Sequence, residues 1–498
     1  MSAGMNLGIS GMSAYVPPYR VSLKDWCSWT SSSWDKTRSV VGTGFRMPGP
    51  LDSVYTMAAN AALKLILDHD VDPQRVGFLA VGTESGTDNA TSAAVVVRGM
   101  LDQALAARGL PTLSRQIEAP EFKQACLGGL YGLKGGLRYL GLDGAGRQAL
   151  VVAADVAEYA QNSSGEPTQG AGAVAMLLEE SPKLLEVDLR SSASASAYRA
   201  LDFRKPFARY CGQDLGADGR PRDFPVFNGK YSTACYTDAT LASLGTYFGR
   251  QVQGSRSAYI RELGAVFMHR PYRRMPATAW AWAYLAALFA DGESARSELQ
   301  SLCATAGVAL DEVQLEMETS PRLLERALAG DLVSEIWPLT NRLAQAFRAS
   351  PKHRQVVDDK MTLGQDVAAE LGNLYAAALP AWLAAGLEEA ALTGTPLDGR
   401  DLLLVGYGSG DASEVLRARV VPGWHAAAAR TRMEAVLEGA VDLDQAQYRA
   451  LHSGTAQAQL LPEIQRSGFT VSHRGRQNDP QMQDLGVEYY AYSAGAPP

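Results

Sequence analysis

Apolar residues fall into two patterns along this chain. Short unbroken runs, dominated by aliphatic side chains, occur at Leu7 to Met12, Val76 to Thr83, Leu150 to Ala153, Ala171 to Leu178, Gly264 to Met268 and Asp401 to Val405. Runs without polar alternation predict strands that are covered on both faces. Between them lies helical spacing. Val54, Met57, Ala58, Ala61, Leu65 and Ile66 form one stripe over Ser53 to Leu67. Asp291 to Phe347 and Val357 to Ala385 are rich in Ala, Leu and Glu and read as helices. Strands alternating with helices predict an α/β fold with covered sheets. The run Asp401 to Val405 echoes Leu150 to Ala154, but the echo is too short to establish a duplication.

Other stretches break these patterns. Gly128, Gly129, Gly132, Gly135 and Gly136 crowd one segment, and an interior glycine costs a helix about 1 kcal/mol relative to alanine. The segment is therefore either a loop or a helix pressed against another backbone. Ala208 to Asp223 has glycine, proline and charge without apolar period and reads as a surface loop, and the Ser/Ala-rich Ser191 to Ala197 resembles it. Beyond Gly454 the chain reads as C-terminal decoration with a strand at Val487 to Tyr492. Ala277 to Ala290, with Trp280 and Trp282, is apolar but too short to span a bilayer, so it predicts a buried helix.

Composition narrows the class. The 498 residues suffice for two to four units, and 46% apolar with 20% charged residues is ordinary for a globular protein. A net charge of −7 and a pI near 5.6 argue against a nucleic-acid surface. Cys27, Cys126, Cys211, Cys235 and Cys303 are odd in number and show neither disulfide nor metal-ligand spacing. With no basic-then-apolar leader at the N-terminus, a reducing cytoplasm is the expected compartment.

Three residues stand at the ends of elements. Cys126 precedes the glycine-rich segment, where the positive end of a helix dipole would favour a thiolate. Glu84 follows the run Val76 to Thr83, and His269 follows Gly264 to Met268. A thiol can carry an acyl group, a carboxylate can remove an α-proton and an imidazole can polarise a carbonyl. That set suits carbon–carbon bond formation on thioesters. Gly406 to Gly410 lacks the Lys-Ser/Thr of a phosphate loop. His69, between Asp68 and Asp70, reads as solvated.

The chain resembles the 3-hydroxy-3-methylglutaryl-CoA synthases, condensing enzymes of the thiolase superfamily, from about Gly8 to at least Gly410. The resemblance rests on Gly82-Thr83-Glu84, Ala125-Cys126-Leu127-Gly128-Gly129, Ala149 to Ala157, Glu166-Pro167-Thr168, Leu201-Asp202-Phe203-Arg204-Lys205-Pro206, Phe267 to Tyr272, Gly372-Asn373-Leu374-Tyr375 and Gly406 to Gly410. It implies a thiolase-like five-layer αβαβα fold with two similar halves. Residues 1–182 would carry Glu84 and Cys126; residues 183–498 would carry His269 and the Gly406–Gly410 loop.

The resemblance also implies an activity. Acetyl-CoA would acetylate Cys126, Glu84 would remove a methyl proton, and His269 would polarise the ketone of acetoacetyl-CoA. Water would then release 3-hydroxy-3-methylglutaryl-CoA, a step of the mevalonate route to isoprenoids. The Ser409 N–H would join that of Cys126 in an oxyanion hole, and Asn373 and Tyr375 would line the acetoacetyl pocket. Asp88, Asp155 and Asp202 would order the site, and Pro271 and Arg274 would contact substrate. Neither metal nor redox cofactor is implied, and the implied assembly is a homodimer. The alternative acceptor is a β-ketoacyl group on an acyl carrier protein, for which Arg204, Lys205, Arg209, Arg220, Arg222, Arg270, Arg273 and Arg274 would offer a basic surface. Arg270, Arg273 and Arg274 together predict a basic acceptor entrance. The chain departs from the family pattern at Leu127, Gln169, Asn228 and Arg270, where Tyr, Gly, Asp and Ser are usual.

Overall fold

The computed structural model describes residues 6–205, 224–455, 460–464 and 467–494. The loop expected over Ala208 to Asp223, with Arg209, Cys211, Arg220 and Arg222, lies outside the described residues. The first half supplies β1 (Leu7–Tyr15), β2 (Tyr19–Ser22), β3 (Gly44–Met47), β4 (Val76–Gly82), β5 (Glu121–Phe122), β6 (Gln148–Ala157) and β7 (Gly170–Glu180). The second supplies β8 (Leu185–Ser196), β9 (Ala265–Met268), β10 (Asp401–Gly408), β11 (Ala412–Val420), β12 (Val441–Asp442), β13 (Gly468–Arg474) and β14 (Glu488–Ser493).

The main sheet runs β5-β4-β6-β7-β1-β8-β11-β10-β9. Outward from the β1–β8 seam, both sides repeat one pattern. Two antiparallel pairings, β1–β7 and β7–β6, precede the parallel pair β6–β4. On the other side β8–β11 and β11–β10 are antiparallel, and β10–β9 is parallel. The two apolar runs that echo each other, in β6 and β10, thus occupy matching positions. At the seam only Gly8–Glu186 and Ile9–Leu185 pair.

Helices complete the five layers of a thiolase-like αβαβα fold. Val54–Asp68 lies on β1, β6 and β7, and Gly229–Gln251 lies on β8, β10 and β11. Gly128–Leu142 and Ala378–Thr393 form the central layer. The glycine cluster is therefore a helix pressed on backbone. A Cβ at Gly129 would lie 2.6 Å from the Ala376 carbonyl oxygen, and one at Gly82 would lie 2.3 Å from the Gly128 carbonyl carbon. The same helix reaches the second half through Lys134, whose ammonium meets Glu414 of β11 at 2.5 Å. Ser194 of β8 donates to the other Glu414 oxygen at 2.6 Å. Both charges are buried, so the pair specifies how the layers dock more than it adds net stability.

Several expectations change. Ser191 to Ser196 is the end of β8 and no loop, because its small side chains pair edge-on with β11. His69 is not simply solvated. It is partly buried against β1, its ring nitrogen lies 3.3 Å from the Met12 carbonyl, and burial lowers its pKa. The region beyond Gly454 contains the hairpin β13–β14, which docks where Asn60 pairs with both backbone groups of Phe469. Arg274–Asp291 is a buried helix, and among the described residues no helix is long and apolar enough to cross a membrane.

Candidate active site

Cys126 sits in the turn between β5 and the central helix Gly128–Leu142. Ala125 just before it has φ of 44°, a left-handed conformation that turns the thiol away from the helix axis and towards β4. The Cys126 Sγ donates to Glu84 Oε2 at 3.6 Å. The expected thiolate preference is overturned here. Burial first, then the charges of Glu84 and Asp155, push the thiol well above the ordinary cysteine range. The end of a helix dipole is worth about 1 kcal/mol, less than desolvation beside two carboxylates costs. Cys126 is thus held as a neutral thiol beside Glu84.

Glu84 is held from both ends. Its backbone N–H donates to Asp155 Oδ1 at 2.8 Å. The same carboxylate accepts from Thr83 Oγ1 at 2.8 Å, Ser85 Oγ at 2.7 Å and, through Oδ2, the Ala376 N–H at 2.8 Å. Asp155 therefore ties β4 and β6 to the turn before the second central helix. Burial and the Glu84 charge push Asp155 up to about 7, against the opposing effect of Lys205 and the donated hydrogen bonds. Lys205 Nζ lies 3.0 Å from Glu84 Oε1 and 4.4 Å from the centroid of the Tyr375 ring. Sequence reasoning treated Lys205 only as part of a basic surface. The signal that could have found it is charge balance, since Glu84 and Asp155 together need a cation when buried.

His269 follows β9, its N–H bonded to the Val405 carbonyl at 2.8 Å and its carbonyl accepting from Tyr236 Oη at 2.9 Å. The ring stacks on Tyr407 with centroids 6.4 Å apart, and Nδ1 is buried without a partner. Burial pushes its pKa down to about 3, so the imidazole is neutral at physiological pH and has one N–H to donate. Cys126, His269, Pro271, Asn373, Tyr375 and Ser409 all line one cavity of about 680 Å³. Its remaining walls mix aromatic side chains, including Tyr159, Phe203 and Phe227, with small polar ones.

The other expected residues divide. Asn373 Oδ1 accepts from the Tyr375 N–H at 2.9 Å and shapes the pocket floor. A Cβ on Gly408 would lie 2.1 Å from the Gln124 carbonyl oxygen, so the Ser409 loop rests directly on the cysteine turn. Asp202 does not line the cavity. It sits beneath that loop, accepting from Tyr407 Oη at 2.8 Å and the Gly410 N–H at 3.1 Å. Asp88 is exposed and merely caps the N–H groups of Ala90 and Thr91 at 2.7 and 2.8 Å. Four residues beyond Glu84, its loop has already left the cavity.

The basic entrance is placed differently from the expectation. Arg270 is buried behind His269, because successive strand-like residues face opposite ways. Its guanidinium donates to Gln365 Oε1 at 2.8 Å and lies 5.4 Å from the Trp382 ring centroid, and burial lowers its pKa to about 9. Arg273 and Arg274 line a second, polar cavity of about 550 Å³ with Ser39 and Arg348. The helix Trp34–Val40 stands between the two cavities, giving Lys36 to one and Ser39 to the other. Of the acids lining the second cavity, Asp358 pairs with His353 and Glu389 accepts from the Gly364 N–H, while Asp366 faces the cavity as well. Of the remaining departures, Gln169 bonds the Tyr159 N–H and Tyr448 Oη, and Asn228 bonds the Leu201 carbonyl. Leu127 is buried under Gly406 and Gly408.

Residues 3–182 match the family described as hydroxymethylglutaryl-coenzyme A synthase N terminal. The chain is 27% identical to a hydroxymethylglutaryl-CoA synthase of Haloferax volcanii, over 76% of this chain and 75% of that protein. It is 27% identical to the hydroxymethylglutaryl-CoA synthase erg13B of Aspergillus fumigatus, over 84% and 83%. Among solved structures it is similar to MvaS in complex with 3-hydroxy-3-methylglutaryl coenzyme A, with a TM-score of 0.75, 25% identity and coverage of 99% of this chain and 100% of that one. The curacin-pathway HMG synthase in complex with holo donor-ACP shares the fold at a TM-score of 0.70, with 18% identity over 98% and 99% of the two chains.

Proposed function

The chain belongs to the hydroxymethylglutaryl-CoA synthase family of the thiolase superfamily, and we propose from that premise that it condenses acetyl-CoA with acetoacetyl-CoA. The observation that carries this reading is the contact of Glu84 with Cys126, whose cavity His269 also lines. Cys126 attacks the acetyl carbonyl, its proton passing to Glu84 Oε2. The carbon–sulfur bond to CoA breaks, and that proton leaves with the CoA thiol. Negative charge on the thioester oxygen is met by the N–H groups of Cys126 and Ser409. Glu84, again a carboxylate, removes a proton from the acetyl methyl group. The enolate carbon attacks C3 of acetoacetyl-CoA. Neutral His269 donates an N–H to the C3 oxygen as charge builds there. The proton that Glu84 took from the methyl group ends on that alkoxide, and water then cleaves the Cys126 thioester, restoring the thiol and freeing 3-hydroxy-3-methylglutaryl-CoA.

CoA release from the two CoA esters, with product identified by mass spectrometry, tests this reading. An enzyme that ignores acetoacetyl-CoA at high concentration, but condenses acetoacetyl held on a carrier protein, would establish the alternative acceptor instead. We also propose a cytoplasmic homodimer, in keeping with the family resemblance and with cysteines that lack disulfide spacing.

Arg274, which the resemblance makes a substrate contact, supports binding of the CoA phosphates in the second cavity. Arg348 is lowered by burial and by Arg274, a like-charge pairing that an anion would relieve. Arg274→Ala is expected to raise KM for acetoacetyl-CoA roughly 10-fold, the scale of one charged hydrogen bond, with little change in kcat. Steady-state kinetics across a NaCl series should also show a shallower salt dependence than wild type.

A further inference from the structure

Glu84 has two oxygens and two neighbours: Oε2 takes the Cys126 thiol, and Oε1 faces Lys205 at 3.0 Å. Oε1 accepts no aligned hydrogen bond, so the contact with Lys205 is an ion pair rather than a directed bond. The Lys205 ammonium is itself located by the Tyr375 ring, 4.4 Å away. Around it stand Glu84 from the end of β4, Asp155 from β6, Cys126 from the cysteine turn, and Tyr375 with its neighbour Tyr159.

We propose that Lys205 is a positioning residue for the carbon-deprotonating base, holding one Glu84 oxygen so that the other faces Cys126 and supplying the charge that keeps Asp155, which holds the Glu84 N–H, ionised. This rests on the reading of Glu84 given above. Burial and the Glu84 charge favour a proton on Asp155 and Lys205 opposes it, and a protonated Asp155 weakens its hold on the Glu84 N–H and on the Thr83 and Ser85 hydroxyls beside it. Asp155 already sits near 7 with Lys205 in place, so the margin is narrow. The sign follows. The Asp155 charge that seats the base is present above its titration and is lost as pH falls through it. Removing the cation raises that titration and moves the acidic limb of the condensation profile to higher pH.

Lys205→Met and Lys205→Arg, measured beside wild type, test this. For Lys205→Met the acidic limb of kcat against pH should move up by about one unit, the lower end of what one opposite charge within 4–6 Å does. At neutral pH kcat should fall about 10-fold and recover in alkali. Lys205→Arg, which keeps the charge, should restore the wild-type limb. A uniform loss at every pH with an unmoved limb would mean a merely structural role and overturn the proposal, as would a Lys205→Arg profile like that of Lys205→Met. If the Met variant fails to fold, Lys205→Gln reads the same limb. Failure of the underlying reading is separate: wild-type condensation unaffected by Glu84→Gln would remove Glu84 as base whatever Lys205 does.

Discussion

Replacing Cys126 with serine is expected to abolish both the covalent intermediate and condensation. With radiolabelled acetyl-CoA the wild-type chain should carry acid-stable label on the peptide containing Cys126, and the serine variant should carry none. Overall turnover should fall by about 10⁴-fold or more, the scale on which a covalent nucleophile contributes. The physical reason lies in the surroundings. Burial, Glu84 and Asp155 already oppose ionisation of a thiol, and they oppose a serine hydroxyl far more, because its alkoxide is intrinsically much less accessible. Label found on Cys27 or Cys303, both buried away from the cavity, would sink the assignment.

Glu84→Ala should split the reaction in two. Glu84 both pushes the Cys126 thiol up and takes its proton during acetylation, so its removal leaves the thiol easier to ionise but hands that proton to water, and acetylation should survive at a reduced rate. The methyl group of the acetyl-enzyme then has no base facing it. Condensation should fall by about 10²- to 10⁴-fold, as for a lost general base. Exchange of the acetyl methyl protons with D₂O should fall by the same factor. Equal loss of acetylation and condensation would instead mark Glu84 as structural.

What the sequence made legible, and what it hid, follow one physical division. The runs at β4, β6, β7 and β10 are readable because strands covered on both faces must be apolar throughout. The glycine cluster left loop and helix open, and the choice depended on Ala376 and β4, backbone far away in sequence. Glu84, Cys126 and His269 were visible as element ends within recognisable motifs. Their ionisation states were not, since those depend on burial and on neighbours from other strands. The helix-dipole argument for Cys126 was local and lost to burial and to the charges of Glu84 and Asp155, carried on other strands. Arg270 was read as surface charge because a run of arginines usually is, yet Trp382 and Gln365 draw it inside. Asp88 failed for the opposite reason: a position close to Glu84 in sequence became a solvent-facing cap.

Ala125 and Tyr375 share an unusual backbone conformation, with φ of 44° and 45°. Each lies in the turn that feeds one of the two central helices, so they are related by the approximate twofold symmetry of the sheet. Such a conformation costs a non-glycine residue about 1 kcal/mol or more. One turn delivers the thiol. The other delivers Ala376, whose N–H is held by Asp155 and whose carbonyl presses on Gly129 at the mouth of the first helix. The two turns thus stand at matching places of the sheet with different contacts. One presents the Cys126 thiol to Glu84; the other supplies a brace at Ala376 and an aromatic wall at Tyr375. Matching backbone turns carry side chains of unlike chemistry.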